Sequence, residues 1–250
     1  MNERRTALTG ALVALAGSIA SGPASLWLVA AIQPQPRWSG TDAFVEAFHP
    51  VQSVPYVAGF LLVGGFVMLV AGLHAFAPRS IRGRTATGVA FVSAFASLIT
   101  LNYAIQTTVV PTLVTASSDT RAVVAWLTMT NPRSVGWVLE MWGYALLGLA
   151  TWLVAPVFSG HRDRLTRSLF MINGPFSIIG AVATAVRPGW VLEPVGLVAF
   201  AAWNVLVVAM TASAAWSLSG RRGGTAYGPL RVVSRRDSRF EEVGVRPAND

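Results

Sequence analysis

The chain has 250 residues, of which 53% are hydrophobic and 12% charged, and its formal net charge is +8. A soluble domain carries about 25% charged residues, and the apolar runs here are too long for a soluble core. Basic chains often bind nucleic acid, but these basic residues flank apolar segments, so no nucleic-acid partner is expected. There is no cysteine, and all 19 basic residues are arginine, which excludes disulfides and catalysis through a lysine amine.

Six apolar stretches are long enough to cross a bilayer as helices, which takes about 20 residues each. A transmembrane barrel strand has only about 10 alternating residues, so helices are favoured. The predicted fold class is therefore all-α, a polytopic bundle of six transmembrane helices in contact with the lipid bilayer. The predicted spans are Thr6–Ile32, interrupted at Gly22-Pro23, then Val54–Ala77, Ala86–Val110, Ser134–Phe158, Ser168–Val186 and Pro194–Leu218.

The amino-terminal stretch has two interpretations. Arg4 and Arg5, followed by an apolar run and the small residues Ser18-Ile19-Ala20, are typical of a cleavable signal peptide. Apolarity resumes at residues 26–32, which favours a retained first span with a kink at Pro23. Cleavage would leave five spans and an external amino terminus, and the sequence leaves this alternative open.

The arginines divide unequally between the two sides of the predicted membrane. On one side lie 15 of them, before the first span, in the second-to-third and fourth-to-fifth connections, and after Leu218. The other side has Arg37, Arg121, Arg133 and Arg187. Basic residues concentrate in cytoplasmic loops, so we predict a multi-pass protein of the cell membrane with both termini cytoplasmic. After the membrane domain of residues 1–219, the polar, Arg-rich composition of residues 220–250 predicts a disordered cytoplasmic tail.

The two long outer loops each contain a predicted short helix. In the first loop, Thr41 could cap a helix that runs through Phe48. In the second, Asp119 could cap a helix. Their apolar faces carry Phe44, Val45 and Phe48 in the first, and Val123, Trp126 and Leu127 in the second. Both helices are predicted to lie in the membrane interface; the alternative is that they only plug the outer end of the bundle.

The polar face of the first short helix has two interpretations. Asp42, Glu46 and His49 share this face and could chelate a divalent cation. A solvated polar face is the default for such a pattern, and no metal site is assigned.

Glu140 is the clearest polar residue at membrane depth. It lies about six residues, and therefore about 9 Å, inside the outer end of the fourth span, where a carboxylate needs a partner or a function. The antiparallel third span supplies Asn102 and Gln106 on one face, at the levels of Tyr144 and Glu140 respectively. We therefore predict an outward-facing polar pocket for a small or lipidic ligand. The predicted ligand-binding residues are Asn102, Tyr103, Gln106, Trp137, Glu140 and Tyr144.

The alternative for this cluster is that Glu140 is a structural hydrogen-bond hub that holds two helices together. Arg121 and Arg133 in the outer loops are candidate charge partners. Pro111 is expected to end or kink the third span just above the cluster.

Three other polar residues lie within spans and are assigned structural roles. Asn173 precedes Gly174-Pro175, where its amide could satisfy a carbonyl freed by the proline. Asn204 is expected to make an interhelical hydrogen bond. His74 is a single histidine near an inner span end, which forms neither a metal site nor a haem pair.

The sequence offers no catalytic constellation. It contains no Gly-x-Ser-x-Gly, no His-Glu-x-x-His and no phosphate-binding glycine loop followed by lysine. An enzymatic activity is therefore not expected, and no cofactor is assigned.

Two stretches carry a family resemblance. They are Leu101-Asn102-Tyr103-Ala104-Ile105-Gln106 followed by Pro111, and residues 139–148 (LEMWGYALLG) followed by Pro156 and Asn173-Gly174-Pro175. With six spans, they resemble bacterial integral membrane proteins grouped as a domain of unknown function. The likeness covers roughly residues 5–218. It implies a six-helix fold in the bacterial inner membrane and supplies no catalytic residues.

The leading functional hypothesis is a transporter-like or sensor-like membrane protein that binds a small-molecule or lipid ligand in the pocket around Glu140. The alternative is a structural or accessory subunit whose spans dock onto a partner membrane protein, with no ligand chemistry.

Overall fold

The computed structural model describes residues 3–116 and 118–220, and the predicted disordered tail lies outside them apart from Gly220. Throughout this described part the fold is all-α, as predicted. The α-helices are α1 Glu3–Ile19, α2 Ser25–Ile32, α3 Thr41–Ala47, α4 Val54–Ala75, α5 Arg82–Ala104, α6 Val110–Val114, α7 Arg121–Leu127, α8 Val135–Val154, α9 Arg164–Val186 and α10 Pro194–Ser219. Short 3-10 turns precede or follow most of them.

Six helical segments are long and apolar enough to cross a membrane, which confirms the predicted number of spans. In order, the spans are Glu3–Ile32, Pro50–Ala75, Arg79–Val114, Val135–Val157, His161–Val186 and Pro194–Ser219. Large apolar side chains such as Leu61, Ile179 and Val205 are exposed on their outward surfaces. Such a surface is stable against lipid and unfavourable in water, so the chain is a multi-pass membrane protein.

The spans form a ring in which each contacts the next along the chain, and the sixth closes the ring against the first. Consecutive spans are antiparallel; in the first pair, for example, Gly10 meets Leu69 and Gly17 meets Leu62. We call the end that carries α3 and α7 the cap end, and the end that carries Arg79 and Arg164 the arginine end. The core lies inside the ring. Its fully buried large side chains include Phe66, Leu69, Phe95, Ile99, Leu147, Phe170 and Met210.

The first and second spans pack with their backbones in close contact. A methyl group built on Gly65 would lie 2.2 Å from the Ala14 nitrogen, and one on Gly17 would lie 2.2 Å from the Leu62 nitrogen. Small residues allow this approach. In lipid the hydrophobic effect does not drive helices together, so dense van der Waals contact stabilises the pair instead. Gly64 differs, because a methyl group there meets no atom within 4 Å.

The first span is interrupted where the sequence predicted it. Ala20–Ala24 forms a π-turn between α1 and α2, and Gly22 has a non-helical backbone there with φ −92° and ψ −108°. Pro23 cannot donate a backbone hydrogen bond, so the helical ladder breaks at this point. As a result, the axis of α2 is kinked relative to that of α1 in the cap-end half of the span.

The third span continues beyond Pro111, so of the two predicted outcomes, an end or a kink, the first is wrong. It passes through a π-turn at Ile105–Val109 and continues as α6 to Val114. In the π-turn the Val110 N–H donates to the Ile105 carbonyl. The same spacing would pair the Gln106 carbonyl with the nitrogen of Pro111, which carries no hydrogen. The Ser53 hydroxyl donates to that carbonyl instead, at 3.4 Å.

The first short helix, α3, has the predicted apolar face but a different start. Phe44 is buried, with Val45 and Phe48 packed beside it, as predicted. The residue before the helix is Gly40, at φ 137°, and no side chain caps the helix. The prediction that Thr41 is the cap is therefore wrong, because the turn at Gly40 already places Thr41 inside the first helical turn.

The second short helix, α7, begins after a 3-10 turn at Ser118–Thr120, so Asp119 is not its cap residue. Val124 is its fully buried residue, whereas Val123 and Trp126 are exposed. An exposed apolar stripe does not contradict the predicted position in the membrane interface, which stays a prediction, whereas the packing of Val124 on the bundle was not predicted. Val124 fills the small cluster with Phe44, which turns the exposed indole of Trp126 away from the bundle.

Arginines at the arginine end bond to the carboxyl ends of neighbouring helices. Arg4 Nε donates to the Leu218 carbonyl at 3.0 Å, and Arg84 donates to the Trp152 carbonyl at 3.0 Å. Cations at helix carboxyl ends satisfy free carbonyls and complement the helix dipole. His74 makes a 2.8 Å hydrogen bond to the Thr85 hydroxyl, which joins the second and third spans in the structural role expected for it.

The close contact of the first two spans predicts a position-specific effect of alanine. Gly65→Ala should lower the thermal stability of the protein in detergent, because the new methyl group overlaps the Ala14 backbone and overpacking costs about 1–3 kcal/mol. Gly64→Ala is the control, since it adds the same methyl group into open space. The measurement is the midpoint of thermal unfolding for each variant, and an equal midpoint for the two would contradict the packing described here.

Candidate functional site

Glu140 lies about one and a half turns from the start of α8 and bridges the third and fourth spans. Asn102 Nδ2 donates to Glu140 Oε2 at 3.0 Å, and the Tyr103 hydroxyl donates to Glu140 Oε1 at 3.2 Å. Each carboxylate oxygen thus accepts one hydrogen bond from a neutral donor. Among the described residues, Glu140 is the carboxylate placed farthest inside a span.

Tyr144 extends the network one helical turn toward the arginine end. Its hydroxyl lies 3.0 Å from the Tyr103 hydroxyl. Since Tyr103 has one hydroxyl hydrogen and donates it to Glu140, Tyr144 is the donor in this second bond. Tyr103 and Tyr144 are almost completely buried, whereas Glu140 itself is half-buried.

Asn102 and Gln106 carry the network to the loop before α8. Gln106 Nε2 donates to Asn102 Oδ1 at 3.2 Å and to the Leu127 carbonyl at 2.8 Å, and Gln106 Oε1 accepts from the Met129 N–H at 3.0 Å. The second hydrogen of Asn102 Nδ2 points to Met129 Sδ at 3.0 Å. Both amides are therefore fully used, and they fix the loop of residues 127–129 over the end of the bundle.

Two glycines make room for this network. A methyl group on Gly136 would lie 2.4 Å from the Leu127 carbonyl and 2.9 Å from Gln106 Nε2. A methyl group on Gly59 would lie 2.3 Å from the Tyr103 ring. The polar side chains reach their partners because these two positions carry no side chain.

Aromatic rings surround the two tyrosines. Tyr56 and Phe60 of the second span lie 5.7 Å and 5.9 Å from the Tyr103 ring, and Trp203 of the sixth lies 4.6 Å from the Tyr144 ring. Four spans thus contribute to one cluster, which we call the Glu140 cluster and define as Tyr56, Phe60, Asn102, Tyr103, Gln106, Glu140, Tyr144 and Trp203.

Of the six predicted ligand-binding residues, the structure joins five by hydrogen bonds. Trp137 is buried in the first turn of α8, and its Nε1 has no hydrogen-bond partner. It takes no part in the bonds around Glu140. The predicted charge partners also lie elsewhere, because Arg121 forms an ion pair with Asp42 and the contacts of Glu140 are to neutral groups.

A half-open hollow lies at the cap end beside Gln106. It encloses about 220 Å³ of empty space, including the part open to solvent. Gln52 is 4% exposed in its wall, and its Oε1 has no hydrogen-bond partner, while its Nε2 donates to the Ala47 carbonyl. The lining residues are Gln35, Phe44, Phe48, Gln52, Ser53, Tyr56, Gln106, Val110, Thr128 and Thr130. Gln106 is the one predicted site residue among them.

Asn173 belongs to a second polar chain, deeper in the bundle. Its Nδ2 donates to the Thr151 hydroxyl at 3.0 Å, Ser177 Oγ donates to its Oδ1 at 3.3 Å, and Trp203 Nε1 donates to Ser177 Oγ at 3.2 Å. The role predicted for Asn173, satisfying a carbonyl freed by Pro175, is therefore wrong. Its amide instead links the fourth, fifth and sixth spans.

Asn204 also departs from its predicted role. Its Nδ2 donates to the Phe200 carbonyl of its own helix at 2.9 Å, and its side chain has no hydrogen bond to another helix among the described residues. Its Oδ1 lies close to Gly22, where a methyl group would be 3.2 Å away.

The polar face of α3 does not form a chelating set. Asp42 is paired with Arg121 of α7, and His49 Nδ1 accepts from the Val51 N–H at 3.2 Å as the cap of the following turn. Within the described residues, no three His, Asp or Glu side chains are grouped so as to hold a metal ion.

Several functional neighbours were missed by sequence reasoning. Gly136, Met129 and the Leu127 carbonyl contact the amides, but nothing in their residue types signals a polar site. Gln52 and Tyr56 could have been found, because they lie near the start of the second span at the level of Gln106.

No family model matches the sequence, and neither the curated proteins nor the solved structures contain a match to it.

The full use of the Gln106 amide predicts a local loss of order on its removal. Gln106→Leu should leave the Met129 N–H and the Leu127 carbonyl unpaired, at a cost of about 1–3 kcal/mol for each buried group. Thr107→Val is the control, because the Thr107 hydroxyl bonds within its own helix. Hydrogen–deuterium exchange of residues 127–134 should accelerate in the first variant and not in the second; equal exchange would show that Gln106 does not hold this loop.

Proposed function

We propose that this integral membrane protein binds a small or lipidic ligand at the Glu140 cluster, as a transporter or a sensor does. The proposal is supported above all by one observation: a half-buried carboxylate at membrane depth is held by two neutral donors and contacts no cationic side chain among the described residues. Ionisable groups in spans are costly and are concentrated at ligand and ion paths.

The hydrogen-bonding capacity of Glu140 supports a ligand as well. A carboxylate has about four acceptor sites, and the protein uses two of them. A purely structural bridge between two helices would need only an amide or a hydroxyl, without the cost of a charge. The remaining acceptor capacity of Glu140 is therefore available to a bound molecule.

We further propose that the cap end faces the outside of the cell membrane and that both termini are cytoplasmic. The support is the distribution of arginines: 15 of 19 fall at the arginine end or beyond the sixth span, as the positive-inside rule requires. In this orientation the Glu140 cluster lies in the outer half of the membrane. Membership in the bacterial six-span family remains a prediction.

An accessory subunit is the second candidate function. Its support is that the network around Glu140 is internally satisfied, as a structural hub would be, and that the cap-end half of α10 presents exposed apolar residues such as Val195 and Val198. A helix of a partner membrane protein could pack on that face. A partner would not require the charge of Glu140.

Native mass spectrometry of the full-length protein, extracted from the membrane in which it is made, separates the two functions. We expect wild type to retain a bound species of a few hundred daltons and Glu140→Gln to lose it. Glutamine keeps an acceptor for Asn102, and its amide can donate to the Tyr103 hydroxyl, so the network is preserved while the charge is removed.

Glu46→Gln is the matched control, because it neutralises an exposed carboxylate of α3 and should leave the bound species in place. Retention of the same species by Glu140→Gln, or a wild-type protein without any bound small molecule, would count against the proposal. A stoichiometric protein partner in its place would favour the accessory role.

A further inference from the structure

The cap-end halves of the first and sixth spans diverge and leave the Glu140 cluster open toward the lipid. Beyond the π-turn, α2 packs on α4 and on the turn at Pro50–Ser53, whereas α1 packs on α10. The sixth span is buried from Val207 onward, but its cap-end half has a single buried residue, Gly196. The two spans therefore separate above the point where Gly22 meets Asn204.

The exposure of α10 shows the same opening. Val198 is 69% exposed and Phe200 is 43% exposed, and two residues along a helix are about 200° apart around its axis. Gly196, Ala199 and Trp203 are buried or half-buried and share one narrow side of this half of α10. The exposed arc is therefore wide, and it extends to Phe200, beside the side where Asn204 meets Gly22.

The side of α10 that carries Trp203 leads to Glu140. Trp203, on the next turn of α10, packs edge-on against the Tyr144 ring, and Glu140 lies one turn from Tyr144 on the same face of α8. Glu140 is about five residues, and so about 8 Å, from the start of α8. A molecule dissolved in this half of the bilayer would reach the carboxylate by passing between α2 and α10, without crossing the cap.

The chemistry at the end of this opening selects a cation. Glu140 carries a carboxylate with unused acceptor sites, and neutral groups provide its protein contacts. The Tyr103 hydroxyl bonds to Glu140, and the rings of Tyr144 and Trp203 follow Tyr103 in the same cluster; electron-rich rings attract organic cations by about 0.5–2 kcal/mol each when desolvated. A positive group would be paired by charge and would lie near aromatic rings, whereas an anion would meet repulsion.

We propose that the ligand of the Glu140 cluster is an amphipathic organic cation, an ammonium group on an apolar body, which reaches the site from the lipid between α2 and α10. The inference rests on the proposed function, since it specifies the ligand class of the same site. The apolar body would lie against the exposed residues of the opening, and the ammonium group would contact Glu140.

The test uses the full-length protein in lipid nanodiscs and two probes of the same shape. Phenyltrimethylammonium carries the positive charge, and tert-butylbenzene is its neutral isostere. Equilibrium binding is measured with each radiolabelled probe, and binding to empty nanodiscs is subtracted. We expect saturable binding of the cation at one site per chain, with affinity at least about tenfold above that of the neutral probe.

Two variants locate the site. Glu140→Gln should weaken cation binding by about tenfold or more, and Trp203→Leu should weaken it by a smaller factor. Glu46→Gln should bind the cation as wild type does. Thermal unfolding of each variant confirms that it is folded, so that lost binding reports the site.

The outcomes separate this inference from the proposed function. Equal, Glu140-dependent binding of both probes would overturn the cationic ligand while leaving the ligand-binding function in place. Cation binding that persists in Glu140→Gln would overturn the inference, because the charge would then have no role. Absence of binding by either probe, together with a wild-type protein that carries no small molecule, would overturn both.

Discussion

Hydrocarbon offers no hydrogen-bond partners, and this constraint governs where every polar group of the chain lies. Backbone groups are satisfied within helices, and the broken ladders at Pro23 and Pro111 are absorbed by π-turns. Polar side chains inside the spans bond to one another, as Asn173 does to Thr151. Glu140 follows the same rule for its hydrogen bonds, but within the described part of the chain its partners are neutral and no cationic side chain pairs with it. Glu140 is therefore the residue of the spans to which a functional role is assigned.

Small residues hold the first two spans together, and polar residues hold the third and fourth spans together. The arginine-end half is dense, because Gly17 and Gly65 bring the first two spans into backbone contact. The cap-end half is looser, because the first span turns away at Gly22 and the sixth packs on fewer neighbours. The polar cluster lies in this looser half. The kink at Gly22 is therefore the feature on which the proposed access from the lipid depends.

The sequence predicted the fold well because transmembrane helices leave a strong local signal of length and apolarity. It also predicted that Asn102, Gln106, Glu140 and Tyr144 come together, but it placed Gln106 level with Glu140. In the structure Asn102 bonds to Glu140, and Gln106 bonds to the loop before α8. The prediction failed where the answer depends on tertiary packing. The buried residue of α7 is Val124, because that helix rotates to meet Phe44, and Asn173 bonds across spans because Thr151 lies opposite. The hollow beside Gln52 and the divergence of α2 from α10 have no local signature at all.

Cysteine accessibility tests the central claim most directly, since the chain has no cysteine of its own. Three matched serine-to-cysteine variants, all at exposed positions, sample the cap end (Ser39), the arginine end (Ser80) and the lipid-facing side of the third span (Ser93). With a membrane-impermeant maleimide, Ser39→Cys should react in intact cells, Ser80→Cys only after permeabilisation, and Ser93→Cys in neither case. Reaction of Ser80→Cys in intact cells would reverse the orientation, and rapid reaction of Ser93→Cys would show that water, rather than hydrocarbon, surrounds the bundle.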